Sequence, residues 1–186
     1  MAKNPLQLGT YHMAQSNDFE PQRTNNFEVQ ITGLEKLTTV DKGLAIASNA
    51  GDLITLSTDS FSAPQVSVGT VDISYGNNKI HFAGVPEFSG GSLTLNDYIG
   101  INIERILTAW FKLVYNMKTK AVGIATDYKK VAYMIEYAPD GTQARQWQLI
   151  GCFPTSIQLG DYSQDGANVR KITMELSYDY CVPLDD

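Results

Sequence analysis

The side chains able to act as nucleophile, base or metal ligand are few: two histidines and two cysteines in 186 residues, with carboxylates scattered along the chain. A histidine does acid–base or ligand chemistry when a carboxylate, thiol or hydroxyl stands at a useful spacing. His12 lies in a polar N-terminal stretch and His81 in an alternating run. Neither has such a neighbour in sequence, so both read as structural or solvated. Cys152 and Cys181 sit near the ends of two predicted strands. They could be bonded, but two thiols in a reducing compartment is the favoured reading. Their spacing suggests no metal site. Asp161-Tyr162-Ser163-Gln164-Asp165-Gly166 opens like a calcium loop, yet the bidentate glutamate such a loop needs would fall on Ile172, so a plain polar turn is expected. Ser89-Gly90-Gly91-Ser92 is glycine-rich but lies within a strand pattern and has no following lysine, which suits a bulge better than a phosphate cradle. No hydrolase, zinc-protease, redox or nucleotide motif is present. The sequence therefore predicts neither catalysis, cofactor nor metal, and any function must lie in surfaces.

Those surfaces belong to strands. Asn26–Gly33 alternates strictly, with Phe27, Val29 and Ile31 on one face. Leu53–Phe61 alternates too, setting Thr55, Ser57 and Asp59 opposite Ile54, Leu56 and Thr58. Proline turns the corner at Ser62-Ala63-Pro64. Val66–Tyr75 follows, with Thr70, Asp72 and Ser74 opposite Val71, Ile73 and Tyr75, and a phase break at Gly69 that marks a bulge. Gly76-Asn77-Asn78 turns it into Lys79–Ala83 as a hairpin. Glu87–Leu95 reads as one strand loosened at Gly90-Gly91. Tyr128–Ala138 and Gln143–Gly151 form a second hairpin across Pro139-Asp140-Gly141. Val131, Tyr133, Ile135, Tyr137, Trp147 and Leu149 are predicted inward, and Lys130, Glu136, Gln146 and Gln148 outward. Phe153-Pro154 is a corner into Thr155–Leu159, and Val169–Tyr180 is the last strand.

Only residues 97–115 change period. Ile99, Ile103, Ile106, Leu107, Trp110, Phe111 and Val114 make one helical stripe, interrupted by charge and thus no membrane span. Residues 1–24 form a polar arm with isolated Tyr11 and Phe19, either a solvated tail or a segment that orders on a neighbouring subunit. The long loop 34–52 carries Leu44 and Ile46, more apolar than a solvated loop needs, and residues 181–186 form a short tail. Eight strands and one helix predict a mainly β chain of one domain, 25–180: an antiparallel β-sandwich or half-barrel with one flanking α-helix.

The composition agrees. Apolar residues are 43% and charged residues 18%; the net charge is −6, which argues against a nucleic-acid-binding footprint. The N-terminus has no apolar h-region, so the chain is expected to be made and kept in the cytosol unless later carried out. The polar strand face of Thr55, Ser57, Asp59, Thr70, Asp72, Ser74, Lys130, Glu136, Gln146 and Gln148 is poor in long charged side chains. It suits the smooth wall of an aqueous channel, while an ordinary solvated sheet face is the plainer alternative.

At Gln146–Tyr180, and more loosely over most of residues 25–180, the chain resembles the tail tube proteins of contractile-tailed, T4-type bacteriophages. A Trp-centred strand runs through Gly151-Cys152-Phe153-Pro154-Thr155 into a short strand. A polar turn follows, and the end is Val169-Arg170-Lys171-Ile172-Thr173-Met174-Glu175-Leu176-Ser177-Tyr178-Asp179. The upstream order also matches: the Asn-Phe-Glu-Val strand, the Pro corner, Lys79-Ile80-His81-Phe82-Ala83-Gly84, a Leu-Thr-Leu-Asn-Asp strand and the helix. The arm and the loop 34–52 are longer than in the simplest members. The resemblance implies homo-hexameric rings whose inner strands join into one ring-shaped β-barrel. Rings stack into a tube with a sheath protein outside, and DNA and a tape-measure protein lie in the lumen without specific binding. It also implies a place in the virion tail, assembled in the host cytoplasm, with no membrane insertion. The ten polar residues above would face that lumen, and Tyr11, Phe19, Leu44 and Ile46 would contact the next ring. The tube of a contractile injection or type VI secretion system shares this reading, and a monomeric ligand-binding β-barrel is a rival of another class.

Overall fold

The structure is a computed structural model that describes residues 22–34, 37, 49–164 and 168–184. Strand β1 (Phe27–Thr32) buries Val29 and Ile31, as its alternation predicts. The first departure comes next. Ala50–Ser57 is a helix, α1, and only Thr58–Phe61 forms a strand, β2. Ala50, Ile54 and Ser57 are its buried residues, spaced by four and three. That is the helical period, which the alternation Ile54/Leu56 had masked. Packing favours the helix: Thr55 donates its hydroxyl to the Val29 carbonyl at 2.7 Å, tying α1 to β1. At Gly51 a Cβ would lie 2.8 Å from the Ile31 carbonyl oxygen, so only glycine permits this approach.

β3 (Gln65–Tyr75) and β4 (Asn78–Ser89) form a separate two-stranded ribbon. Gly76, at φ +60°, opens its two-residue turn. The register shifts between Val68 and Thr70, where the sequence predicts a bulge, and Gly84 lies so close to Gly69 that a Cβ there would sit 2.9 Å from the Gly69 carbonyl oxygen. Gly90 interrupts the expected strand 87–95. β5 (Gly91–Asn96) starts after it and buries Gly91, Leu93 and Leu95.

The long helix, α2, spans Ile103–Val114 and buries Ile103, Ile106, Leu107, Ala109 and Trp110. It starts later than the expected residue 97 because Asn102 is in the left-handed region at φ 56°, which breaks the helical path. Ile99, expected on the stripe, is fully exposed. Short strands β6 (Tyr115–Asn116) and β7 (Ala121–Val122) and the single turn α3 (Ala125–Tyr128) follow.

β8 (Lys130–Tyr137) and β9 (Gln143–Gln158) pair antiparallel. The expected corner at Phe153-Pro154 does not end β9. The strand runs 16 residues, bending at Gly151, whose φ is +72°. One half of β9 pairs with β8 and β11 (Tyr180–Pro183), the other with β10 (Lys171–Ser177). The main sheet has seven strands in the order β1-β8-β9-β10-β5-β2, with β11 beside β9. Because β9 serves both halves, the sheet curls until β2 lies near β1, and α2 fills the opening. Among the described residues this is the mainly β, antiparallel half-barrel with a flanking helix that the sequence predicts, plus α1, which takes the place of the first half of the expected strand 53–61.

Trp110, Ile103, Ile106, Leu107, Leu93, Leu95, Leu149, Ile172 and Met174 form a core with no more than 1% exposure at any of them. Both cysteines lie in it and are free. Burial pushes the Cys152 thiol up to about 12 and raises that of Cys181. The thiolate is the reactive form. Neither cysteine is therefore expected to react with a disulfide reagent at pH 8 in the native protein, and both should react after denaturation. Stoichiometric labelling of the folded protein would show this packing to be wrong.

Candidate functional site

The expected lumen residues separate into three groups. Thr70, Asp72 and Ser74 stand on β3 opposite Ala83, His81 and Lys79 of β4, so the six share one face of the ribbon. His81 Nδ1 lies 2.6 Å from Asp72 Oδ1, both side chains being open to solvent. Gln146 and Gln148 stand on the outer face of the main sheet. There Gln148 pairs with Tyr133, which pairs in turn with Gln30, and Gln148 Nε2 donates to the Tyr133 hydroxyl at 3.1 Å. Gln143 Nε2 donates to Gln146 Oε1 at 2.9 Å.

The remaining five sit elsewhere. Thr55 and Ser57 belong to α1, and Ser57 is fully buried, with its hydroxyl lacking a partner among the described residues. On β8 the predicted phase is inverted: Ala132 and Met134 pair with Leu149 and Trp147 over the core, so Lys130 and Glu136 share the core phase. Lys130 is 7% exposed, its aliphatic stem lying against Gly33. Ser57 and Lys130 are thus buried within the protomer instead of standing on an open polar face. The pattern Val-Ala-Tyr-Met-Ile is apolar on both phases and gives no sequence signal for its inner side. Glu136 lies in a surface cleft of about 510 Å³ at the seam between β1 and β2, floored by Phe27, Phe61 and Met134. Asp59, at the same seam, meets Lys171 Nζ at 2.7 Å. That hydrogen bond lowers its carboxyl below the ordinary value. Tyr11, Phe19, Leu44 and Ile46 lie outside the described residues.

The other face of the ribbon is the surprise. Val71 stands opposite Phe82, Ile73 opposite Ile80, and Tyr75 beyond them. These five side chains are 44–76% exposed. A row of large apolar side chains along a two-stranded ribbon whose edges are both free among the described residues is a surface made to be covered. The sequence predicts the β3 half of this row. Ile80 and Phe82 were missed, although alternation in Lys79–Ala83 and the tight Gly-Asn turn fix the register that puts them there.

The rest of the polar machinery holds the fold. Arg170 Nη1 reaches Asp97 and Glu104, each at 2.8 Å, and its Nε donates to the Leu159 carbonyl. The hydrogen bond to Glu104 raises the guanidinium pKa further. This node locks the start of α2 to the segment just before β10. Among the described residues no three His, Cys, Asp or Glu side chains are grouped to hold a metal.

The described residues thus form a curled antiparallel β-sheet packed on α2, with a projecting ribbon whose apolar face is exposed. The profile of the T4-like virus tail tube protein gp19 matches residues 23–182, and the chain belongs to that family. Solved structures agree on the fold. A chain of the extracellular contractile injection system PVC sheath–tube complex, in its extended state, superposes with TM-score 0.63 at 15% identity, covering 98% of each chain. A chain of the PVC sheath/tube terminator gives 0.63 at 15% identity, covering 90% of this chain and 99% of that one. A chain of the anti-feeding prophage tube-terminating cap gives 0.62 at 17% identity, covering 94% and 100%. A search of curated protein sequences finds no match. The chain is a tail tube protein, and its family is one of structural proteins.

Proposed function

We propose that six copies close into a ring, that rings stack into a hollow tube, and that the tube conducts DNA past a tape-measure protein during ejection. The observation that carries this reading is the ribbon: five exposed apolar side chains on one face and a polar, lightly charged set on the other. Joining ribbons and free sheet edges of neighbours around a ring would cover the apolar row and remove open edges. Thr70, Asp72, Ser74, Lys79 and His81 would then face the lumen, with Gln146 and Gln148 as further candidates. The net charge of −6 suits a wall that phosphate slides past. Tyr11, Phe19, Leu44 and Ile46 are assigned to ring-to-ring contacts, and the sheath to the outside. Assembly would take place in the host cytoplasm before the tail joins the virion.

Negative-stain microscopy of the purified protein tests this: rings or tubes with a central hole are expected. A monodisperse monomer at high concentration would overturn it and would favour the ligand-binding barrel. The fold-level likeness to injection-system chains favours a second reading, a tube that passes protein. Particles isolated with DNA inside decide for the first, and DNA-free particles loaded with protein decide for the second.

A further inference from the structure

Strand β9 changes partners within its length, and the curl of the sheet is made there. Its residues up to Cys152 pair with β8, and those from Phe153 onward pair with β10. Two stretches carry the chain across this bend: Ile150-Gly151-Cys152 within β9, and Tyr178-Asp179 between β10 and β11. They are tied to each other. The Asp179 amide donates to the Ile150 carbonyl at 2.9 Å. The Asp179 carboxylate lies against Gly151, where any Cβ would collide with it.

A third stretch closes on the same point. Lys129 Nζ donates to both carboxylate oxygens of Asp179, at 2.7 Å each. Lys129 follows α3, and its amide donates to the Ala125 carbonyl at 2.9 Å. Its neighbour Tyr128 packs edge-on against Phe153, with ring centres 5.3 Å apart, and its carbonyl accepts the Trp110 indole. The clasp therefore ties the bend to α2 and the core. Its side chains are 33% and 48% exposed, and pairs so open to water add little to stability. What two charge-assisted hydrogen bonds supply is direction: they fix where the β10–β11 corner sits against β9.

We infer that Lys129 and Asp179 are positioning residues for ring closure, their clasp setting the angle between the two halves of the curled sheet. The inference rests on the tube reading above. A ring closes only when each copy turns the next by a fixed fraction of the circle. That turn depends on the directions in which one protomer presents its edges. Strands β10, β5 and β2, and the ribbon that follows β2, lie on one side of the bend; β1, β8 and β11 lie on the other. A small opening at Gly151 therefore misaligns every interface of a ring. The Lys171–Asp59 pair has the same length, 2.7 Å, but joins two strands of one half, so it serves as the control.

The test uses the full chain. D179N keeps the shape of its side chain, K129M keeps the length of its stem, and K129R keeps the charge. In unassembled D179N the Asp179 amide should exchange its hydrogen about tenfold faster than in wild type, with the urea midpoint unchanged. Microscopy of D179N and K129M should show rings of more than one copy number and a wider spread of tube diameters. K129R and the control K171M should keep the uniform wild-type diameter. The inference is overturned if D179N and K129M tubes are as uniform as wild type, or if Asp179 exchange is unchanged. It is equally overturned if tubes are lost only in step with a lower urea midpoint, or if K171M broadens them as much. Failure of the wild-type protein to form rings would overturn the tube reading and this inference with it, whereas the other outcomes leave that reading standing.

Discussion

Replacing Ile73 and Phe82 together by glutamate is expected to give a folded protomer that no longer forms tubes. Both side chains point from the same face of the ribbon and are about half exposed, at 53% and 52%. In the isolated protomer they touch little, and surface substitutions of this kind usually change stability by within about 0.5 kcal/mol. The melting temperature should therefore move by only a few degrees. In the proposed ring the same face would be covered. Burying the exposed half of a large apolar side chain contributes about 1 kcal/mol, so the five-residue row supplies roughly 5 kcal/mol at each interface. Two carboxylates there remove that contribution and add the cost of desolvating unpaired charge. A ring repeats the defect at every interface, so the loss is cooperative. Sedimentation should show monomers where wild type shows rings, and microscopy should show no tubes. Replacing Thr70 and Ser74 by alanine, on the opposite face, should leave assembly intact. If the double glutamate variant forms tubes of normal length, the ribbon is not the interface. If it unfolds, the row serves the protomer itself.

Much of the fold was legible because a half-buried strand declares itself by alternation, and β1, β5 and β10 do so plainly; β3 alternates in sequence although all of its residues are exposed. Reading failed where two periods fit one segment. Leu53-Ile54-Thr55-Leu56 satisfies both strand and helix, and only a tertiary contact decides: the Thr55 hydroxyl on the Val29 carbonyl and the Gly51 backbone against Ile31. β8 failed for a different reason. Its two faces are equally apolar because one covers the protomer core and Ile135, on the other, is also buried, at 6% exposure. A sequence cannot say which side is inner when both are apolar. The long β9 was cut at Pro154 because proline usually ends a ladder, whereas here the strand changes partners near it and bends at Gly151. The candidate site was legible in part. The polar face of the ribbon came from alternation in Val66–Tyr75, but half of the exposed apolar face that the proposed interface uses belongs to the returning strand.

The largest loss of protomer stability is expected from Trp110→Ala. Trp110 is fully buried among the side chains of α2 and the curled sheet, and its indole Nε1 donates to the Tyr128 carbonyl at 3.0 Å. It therefore performs two tasks: it fills the centre of the half-barrel and ties α2 to α3, the turn that launches β8. Truncating a buried tryptophan to alanine costs about 3–5 kcal/mol through lost burial and the cavity left behind. Against a total stability of about 5–15 kcal/mol for a domain, that removes a large fraction of the folded margin. Trp110→Phe separates the two tasks. It keeps most of the volume but gives up the hydrogen bond, so a smaller loss of about 1–2 kcal/mol is expected. Trp147, half-buried at the edge of the same core, is the control, and Trp147→Ala should cost less than Trp110→Ala. Urea unfolding followed by circular dichroism measures all three. A Trp110→Ala midpoint close to wild type would mean that α2 is not a layer of the core. The order of events makes this matter for function. A ring can close only from protomers whose sheet is already curled, so Trp110→Ala should abolish tubes by depleting folded protomer, whereas the ribbon variant abolishes them with folded protomer in excess.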